Sequence, residues 1–502
     1  MTLSVESSTS RILARDPLPA ASPHRTLIVS NRLPTTVHLD ADSVRLSPSS
    51  GGLATGLRGI HEHSSGLWIG WSGAPGGVSA SAQAEIDTHL AEMGACAVPL
   101  SDAEIDGFYH HFANRVLWPL LHGEEPATST PWDIYRKVNA RFADVVLRHC
   151  RPGDRIWVHD YHLTLLPRMV RERRPDARIG FFLHTPFPST EILAALPDAP
   201  ALIDGMLGAD AIGFQTRSDV ERFGETVRAL LGRRVRLASG TGVTDDLGRP
   251  VHLHFSPMSV DVAGFAARAA DPRVGARVEA LRAPGIPLFV GVDRLDPTKG
   301  IPERLEAFGR LLELRPELRG RARLLQLAVP SRQELPAYRA LRARVELSVA
   351  TLNARYGAAS WRPVEFVYGQ VDQLELAALY RAADVMLVTP LRDGMNLVAK
   401  EFVASRVDGQ GVLVLSRSAG AAAELVAALL VDPKDGGEMV SAYVRALDMS
   451  PAEQRVRMRR LQANVGAHDV RCWAEECLRR LDQTGPVTRD NMRWTPRGRR
   501  HV

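Results

Sequence analysis

The sequence predicts an α/β protein with two Rossmann-like parallel-sheet domains that face a cleft. Its 502 residues exceed the size at which one hydrophobic core usually stops growing. Short apolar runs alternate with longer amphipathic runs in both halves, which is the pattern of repeated βα units on a parallel sheet. The fractions of hydrophobic residues, 45%, and charged residues, 24%, are typical of a soluble globular protein.

The first half of the chain predicts an N-terminal domain over 26–262. The candidate strands cover 26–31, 67–73, 155–160, 178–184 and 210–215, and the amphipathic segments between them include 132–150 and 218–232.

The second half repeats the pattern and predicts a C-terminal domain over 263–450. Its candidate strands cover 286–296, 322–330, 364–370, 383–390 and 411–416, and its candidate helices include 302–318 and 335–357. A further helical stretch, 451–484, is long enough to cross back to the first domain.

The two ends and the charge distribution restrict the classes of function. Residues 1–25 are rich in Ser, Ala, Pro and Arg, without the apolar run of a secretory signal, and are expected to form a disordered leader. Of the formal charge of +5, the basic tail 485–502 carries most, so the folded body is nearly neutral. A nucleic-acid-binding face is therefore not predicted. No segment reaches 18 uninterrupted apolar residues, so no membrane span is predicted either.

The cysteines indicate a reducing compartment. Cys96, Cys150, Cys472 and Cys477 are too few and too scattered for a disulfide framework or a zinc site. We therefore expect a cytoplasmic protein.

Ligands of open α/β sheets bind beyond the carboxyl ends of the strands, so the residues that follow each strand are the first candidates for a site. Arg32 follows the first strand in "SNRLP", and "SSGGLATGL" places Gly51 and Gly52 before a helix. Paired glycines allow backbone amides to approach a phosphate, although ordinary tight turns use the same residues.

Polar residues also end the next two strands. Asp160 lies in "IWVHDYHL" and His184 in "FFLHTPFP", where sugar hydroxyls or a general base would be met. The histidines at 61–63 and 110–111 lack the spacing of a zinc site, so no metal is predicted.

Two cations follow the first strand of the second domain. In "GVDRLDPTKG", Arg294 and Lys299 could neutralise a departing diphosphate, although a solvated loop with two unrelated charges is the simpler interpretation of this segment alone. Arg332 in "VPSR" offers another cation at the end of the next strand.

The stretch "VTPLRDGMNLVAKEF" turns from a strand into a helix. Asp393 fits an N-cap of that helix, a contribution of about 1 kcal/mol, and Arg392 would orient Asp393 or brace the loop. Glu401 would reach a ribose. The amides that would face an anion belong to Gly394, Met395, Asn396, Leu397 and Val398.

Taken together, these segments resemble the trehalose-6-phosphate synthase family of retaining glycosyltransferases over roughly residues 26–483. The resemblance is carried by "SNRLP", "GGLATGL", "LWIGWSG", "FYHHFANRVLWP", "IWVHDYHL", "FFLHTPFPSTEI", "GVDRLDPTKG" and "TPLRDGMNLVAKE". It implies the two-Rossmann B-type glycosyltransferase fold. It also implies metal-independent transfer of glucose, with retention, from a nucleotide-glucose, usually UDP-glucose, to glucose 6-phosphate.

By motif position, the resemblance also implies roles for single residues. The catalytic set would be Asp160, His184, Arg294, Lys299 and Asp393, with His184 and Asp393 on donor glucose hydroxyls. The acceptor set would be Arg32, Tyr109, Trp118, Asp160 and Arg332. The donor set would be Gly52, Arg294, Lys299, the amides of Gly394 to Val398, and Glu401.

Two residues depart from the common family pattern. Pro297 stands where an aromatic residue is frequent, and Ser259 stands where many members have glycine. Neither change touches a charged role, so activity is expected.

Several alternatives stay open at this point. The acceptor could be another phosphorylated compound such as glycerol 3-phosphate, or the chain could be a silent relative that binds nucleotide-sugar. The donor base could be uracil, guanine or adenine. We also expect a homo-oligomer, no cofactor, and a separate phosphatase that acts on the product.

Overall fold

The structure is a computed structural model, and it describes residues 24–40, 43–48, 56–58, 61, 66–125, 130–236, 242–358 and 361–484. The predicted leader and basic tail lie outside these residues except for 24 and 25.

The first domain is built on a nine-stranded sheet with the order β5-β4-β1-β6-β7-β8-β11-β10-β9. The strands from β5 to β11 in this order pair in parallel, and β10 pairs antiparallel with both β11 and β9. The hairpin β2-β3 lies outside this sheet. The strands are β1 Thr26–Arg32, β2 Thr35–Asp40, β3 Ser43–Pro48, β4 Leu67–Trp71, β5 Ala95–Ala97, β6 Arg155–His159, β7 Arg178–Phe182, β8 Ala211–Phe214, β9 Val235–Arg236, β10 Gly242–Thr244 and β11 Pro250–Phe255.

Helices cover the faces of this sheet, and a π-helix, Ile105–Leu117, carries part of the predicted acceptor motif. It continues directly into Trp118–Leu121. The other helices of the domain are Ala80–Glu92, Asp102–Glu104, Trp132–His149, Leu166–Arg173, Thr190–Ala194, Ala199–Met206 and Arg217–Leu231, with a 3₁₀ turn at Tyr161–Leu163.

The second domain has a six-stranded, all-parallel sheet with the order β14-β13-β12-β15-β16-β17. The strands are β12 Leu288–Arg294, β13 Arg323–Val329, β14 Val364–Tyr368, β15 Val385–Val388, β16 Val412–Ser416 and β17 Leu429–Val431. The α-helices are Val262–Ala269, Pro272–Leu281, Ile301–Leu314, Pro336–Tyr356, Gln373–Ala382, Leu397–Ser405, Gly436–Leu447 and Pro451–Ala467, with 3₁₀ turns at Pro297–Lys299, Pro316–Leu318 and Gly420–Ala423.

The last helix, Val470–Gln483, packs on the first sheet. The ring of Trp473 lies 5.3 Å from that of Trp157 and 5.1 Å from that of Phe182. Asp482 pairs with Arg155 at 3.1 Å. The end of the chain therefore holds the first domain, whereas the preceding helix, Pro451–Ala467, packs on the second.

The two-Rossmann prediction is confirmed, and each of the ten predicted strands is present within a few residues of its predicted ends. Most of these strands are buried on both faces, which makes them continuous apolar runs, whereas β14 at the sheet edge is only partly buried. Within the described part of the chain, none of the helices combines the length and the apolar character that crossing a bilayer requires.

Candidate active site

A cavity of about 740 Å³ lies between the carboxyl ends of the two sheets. Both domains line it, as the rule for open α/β sheets predicts. The predicted site residues on its wall are Arg32, Tyr109, Trp118, Asp160, His184, Arg294, Arg332, Asp393 and Gly394.

Arg32 is held on the first-domain wall by aromatic rings. Its guanidinium lies 4.5 Å from the centroid of Trp71, whose ring contacts Tyr109 edge-on at 5.8 Å. Burial lowers the pKa of Arg32, although Tyr109 acts in the opposite direction. A stacked guanidinium of this kind keeps its donors free for an anion.

Asp160 is held in an unusual backbone conformation directly after β6. Its φ of 73° and ψ of 168° fall in a region that glycine normally occupies, at a cost of about 1–3 kcal/mol. Its carboxylate accepts a hydrogen bond from the backbone N–H of His184 at 3.2 Å. Burial raises the pKa of Asp160 to about 6, against the N–H groups of Tyr161 and His184. Such strain and such a pKa are typical of functional carboxylates.

His184 and His159 form a neutral pair at the ends of adjacent strands. Nδ1 of His159 lies 3.1 Å from Nε2 of His184. Burial lowers the pKa of His184 to about 3, so the imidazole is uncharged at neutral pH. A neutral imidazole fits the predicted contact with a sugar hydroxyl.

On the second-domain wall, Lys299 forms an ion pair with Asp393. Asn396 donates a hydrogen bond to the same carboxylate at 3.0 Å. Burial alone would raise the pKa of Asp393, but the Lys299 ammonium outweighs it, so the pKa lies below its ordinary value. Asp393 is therefore a carboxylate with fixed partners.

The expectation that Asp393 caps the helix is wrong. The helix begins at Leu397, and its N-cap residue is Asn396, with a left-handed φ of 70°. Among the described residues, only the side chains of Lys299 and Asn396 donate to the Asp393 carboxylate. The left-handed turn at Asn396 separates Asp393 from the first helical amides and leaves its carboxylate facing the cavity.

Arg392 braces the loop against the first domain. Its guanidinium donates to the carbonyl oxygen of Phe187 at 3.0 Å. The backbone at Gly394 lies even closer to the first domain. A Cβ built on Gly394 would lie 2.1 Å from the carbonyl oxygen of His184. The loop at 392–394 is therefore packed directly on the opposite domain.

Trp118 lies between two cations of the second domain. The guanidinium of Arg332 is 4.2 Å from the indole centroid and that of Arg294 is 5.4 Å from it. Arg332 also pairs with Asp296 at 3.2 Å and donates to the hydroxyl of Tyr161 at 3.3 Å. Trp118 and Tyr161 belong to the first domain, so Arg332 crosses the cleft.

The turn that carries Lys299 accommodates proline. Pro297 occupies the first position of a 3₁₀ turn, where its missing N–H is not needed. The carboxylate of Asp296 accepts from the N–H of Thr298 at 3.1 Å. Gly300 ends the turn at φ 65°, where a Cβ would lie 2.4 Å from the carbonyl oxygen of Thr389. Pro297 thus fits the local structure. By contrast, the hydroxyl of Ser259 is buried and has no partner among the described residues.

The structure does not bring every predicted donor residue to the cavity wall. Glu401 accepts from the hydroxyl of Tyr380 at 2.6 Å, and burial raises its pKa. Met395 packs in the second-domain core. Lys299 does not line the cavity itself but pairs with Asp393, which does. Gly52 lies outside the described residues. The donor-binding roles of Glu401, Gly52 and the amides of Asn396, Leu397 and Val398 stay predictions.

Sequence reasoning missed two residues of this site. His122 lines the cavity four residues after Trp118, and the i, i+4 spacing in "WPLLH" was the available signal. Asp296 is buried, and although burial raises its pKa, Arg332 and Arg294 hold that pKa below its ordinary value.

A larger groove of about 890 Å³ lies between β11 and the last helix, but none of the predicted site residues line it. Within the described ranges, no three side chains of His, Cys, Asp or Glu are gathered in positions that would hold a metal ion.

Two Rossmann-like sheets with cations and two carboxylates, Asp160 and Asp393, along the cleft between them define a glycosyltransferase of the B-type fold. The chain belongs to glycosyltransferase family 20, whose family model matches residues 24–483.

Two curated relatives resemble the chain over most of its length. It is 39% identical to a bifunctional trehalose-6-phosphate synthase/phosphatase of Thermoproteus tenax over 90% of this chain, and it spans 63% of that protein's length. It is 38% identical to an α,α-trehalose-phosphate synthase [UDP-forming] 2 of Aspergillus niger, over 92% of this chain and 97% of that protein.

Two solved structures are similar in sequence and in fold. The E. coli structure bound with UDP-2-fluoro glucose is 36% identical with a TM-score of 0.81, covering 92% of this chain and all of that one. The UDP-forming α,α-trehalose-phosphate synthase of Burkholderia xenovorans in complex with glucose-6-phosphate is 33% identical with a TM-score of 0.80. That comparison covers 91% of this chain and 100% of that chain.

Proposed function

We propose that the chain transfers the glucosyl unit of UDP-glucose to glucose 6-phosphate, with retention, forming α,α-trehalose 6-phosphate and UDP. The observation that carries the proposal is that two sets of cations meet around one cavity. Arg294 lines this cavity beside Asp393, which Lys299 holds, whereas Arg32 and Arg332 approach it from opposite domains. Two separate anions, a diphosphate and a sugar phosphate, match these two sets.

The relatives support both substrates. The E. coli structure holds a fluorinated UDP-glucose and the Burkholderia xenovorans structure holds glucose-6-phosphate. We infer that Arg294 and Lys299 face the diphosphate and that Arg32 and Arg332 face the acceptor phosphate. The cytoplasmic location, the homo-oligomer and the separate phosphatase stay predictions from sequence.

The reaction exchanges one bond to the anomeric carbon for another. The bond from C1 of the donor glucose to the diphosphate oxygen breaks, and the anomeric hydroxyl of glucose 6-phosphate forms the new bond on the same face. Its proton passes to the departing phosphate oxygen. Arg294 and Lys299 stabilise the charge that grows on the diphosphate, since fixed cations near the reacting atoms need no reorganisation.

Asp393 serves as a positioning carboxylate in this scheme. Its charge is already compensated by Lys299 and by the amide of Asn396, which weakens it as a nucleophile and fits it to hold donor hydroxyls.

A nucleotide-release assay tests the proposal. UDP-, GDP- and ADP-glucose are each combined with glucose 6-phosphate or glycerol 3-phosphate, with and without EDTA. We expect UDP release with glucose 6-phosphate, unchanged by EDTA. Release only with glycerol 3-phosphate would indicate a different acceptor, and no release with any pair would indicate a silent relative. Loss of release in EDTA would contradict the metal-free scheme.

Protonation of Asp160 is expected to lower kcat/KM for the acceptor on the acid side of its pH profile. Its carboxyl takes up a proton as pH falls through about 6 and can then no longer accept two hydroxyl hydrogen bonds. The acceptor phosphate itself titrates near pH 6. On the acid side of the profile, log kcat/KM of the wild type should therefore fall with a slope of two against pH. In Asp160→Asn the slope should be one. An unchanged slope in Asp160→Asn would remove Asp160 from this role.

A further inference from the structure

His122 is a buried cavity residue with one ring nitrogen committed and the other unused. Its side chain is 8% exposed and lines the cavity at the end of the helix Trp118–Leu121. Nδ1 lies 2.8 Å from the carbonyl oxygen of Trp118. A carbonyl only accepts, so Nδ1 carries the proton, and Nε2 is a bare acceptor in the neutral ring.

Nε2 is the ring nitrogen of His122 that remains for a ligand. Among the described residues, no hydrogen bond reaches this nitrogen. The ring packs on Trp118 with centroids 4.1 Å apart, so it has little freedom to turn elsewhere. Burial lowers the pKa of His122 to about 4, and the ring is therefore an acceptor at neutral pH. His122 lines the cavity and its Nδ1 is committed to Trp118, so Nε2 is the ring atom left to accept from a ligand there.

The ring of His122 packs on Trp118 of the predicted acceptor set, and the turn that follows it contacts the donor-side loop. The charges that act on the imidazole are those of Asp296, Asp393 and Lys299, and the last two form the donor-side ion pair. The next residue, Gly123, has φ 90°, and a Cβ there would lie 2.5 Å from Nη1 of Arg392. The turn at 122–123 thus contacts the loop that carries Asp393, the predicted partner of the donor sugar.

We propose that His122 determines specificity for the transferred sugar, because its Nε2 accepts a hydrogen bond from one hydroxyl of the glucosyl unit. This inference rests on the proposed function. A site that accepts a hydrogen bond from a hydroxyl discriminates against the sugar that lacks it, because the buried nitrogen is then left unpaired.

His122→Asn and His122→Gln separate the two ring nitrogens. Asparagine can keep the hydrogen bond to the Trp118 carbonyl but has no group at the place of Nε2, whereas glutamine reaches that place. His89→Asn is the matched control, since Nδ1 of His89 likewise lies 3.0 Å from a carbonyl four residues earlier, that of Glu85, on a surface helix. All three variants should melt within about 3 °C of the wild type.

The substrates of the test are UDP-glucose and its 2-, 3-, 4- and 6-deoxy analogues, with glucose 6-phosphate and its deoxy analogues as acceptors. We expect His122→Asn to lower kcat/KM for UDP-glucose by about 10- to 100-fold. For one deoxy donor this loss should shrink to less than about 2-fold. His122→Gln should recover part of the loss, and His89→Asn should behave as the wild type.

A loss that is the same for every donor would overturn the proposal and leave His122 with a structural role. A loss that vanishes with a deoxy acceptor would move the contact to the other substrate and also overturn it. Calorimetry with the same UDP-sugars compares their binding to the wild type and to the variants without turnover. Failure of the wild type to turn over any pair therefore counts against the proposed function, whereas an unselective loss of binding counts against this inference.

Discussion

Lys299→Ala is expected to lower kcat by about 10²- to 10³-fold, which corresponds to the loss of one preorganised group at the developing charge. The side chain of Lys299 is 11% exposed and that of Asp393 is 16% exposed, and Asp393 lines the cavity. The free energy of unfolding should fall by less than the loss of about 3–4 kcal/mol in the transition state, because Asn396 still donates to the Asp393 carboxylate and that carboxylate is open to the cavity. Steady-state kinetics and chemical denaturation measure the two quantities.

Two variants control this prediction. Lys299→Arg keeps the charge and should retain more activity than the alanine variant, although its wider head fits the turn less well. Lys434→Ala removes an exposed lysine of the same domain and should change neither quantity. If Lys299→Ala lowers the free energy of unfolding by as much as it lowers the stabilisation of the transition state, Lys299 has a structural role.

The strands that sequence predicted and those it missed differ in a physical way. Most of the predicted strands are buried on both faces and are continuous apolar runs, and β14, at the edge of its sheet, is the exception. By contrast, β11 mixes exposed and buried residues in "PVHLHF", with the alternation broken at the buried His254, and β9 and β10 have two and three residues. A run of that length has too few positions for a period of two to stand out.

The sequence predicted those site residues that lie at the carboxyl end of a single strand. Arg32, Asp160, His184 and Arg294 each follow a strand, and all four line one cavity. The partner of Asp393 was not predictable in this way. The sequence predicts that its neighbour Arg392 orients Asp393 or braces the loop; the structure shows the bracing contact, and Lys299, 94 residues away in sequence, pairs with Asp393. Adjacent side chains on an extended segment point to opposite sides, and only the fold decides what each one meets.

Arg392 and Arg332 have a common consequence for the cleft. Arg392 donates to Phe187, and Arg332 donates to Tyr161, so each ties the second domain to the first. The position of the loop that carries Asp393 thus depends on both domains. A small change where that loop meets the first domain should therefore act on catalysis more than on folding.

Gly394→Ala is the sharpest test of this contact. The new Cβ would lie 2.1 Å from the carbonyl oxygen of His184 and 3.0 Å from the carbonyl carbon of Thr185, and neither backbone atom can turn aside. The loop or the domain has to shift by about 1 Å, and displacements of that size cost about 100-fold in rate. We expect kcat/KM for UDP-glucose to fall by about 100-fold. The unfolding free energy should fall by only about 1–2 kcal/mol, because opening of the cleft relieves the clash.

Gly275→Ala supplies the matched control. Gly275 lies in the helix Pro272–Leu281, and a Cβ there meets nothing within 4 Å. Alanine should stabilise that helix by about 0.5–1 kcal/mol and leave kcat/KM unchanged. UDP should raise the melting temperature of this variant as it does that of the wild type, and it should do so less for Gly394→Ala. Wild-type kinetics in Gly394→Ala would mean that the loop at 392–394 moves freely during turnover, and the fixed contact with His184 would then have no part in placing Asp393.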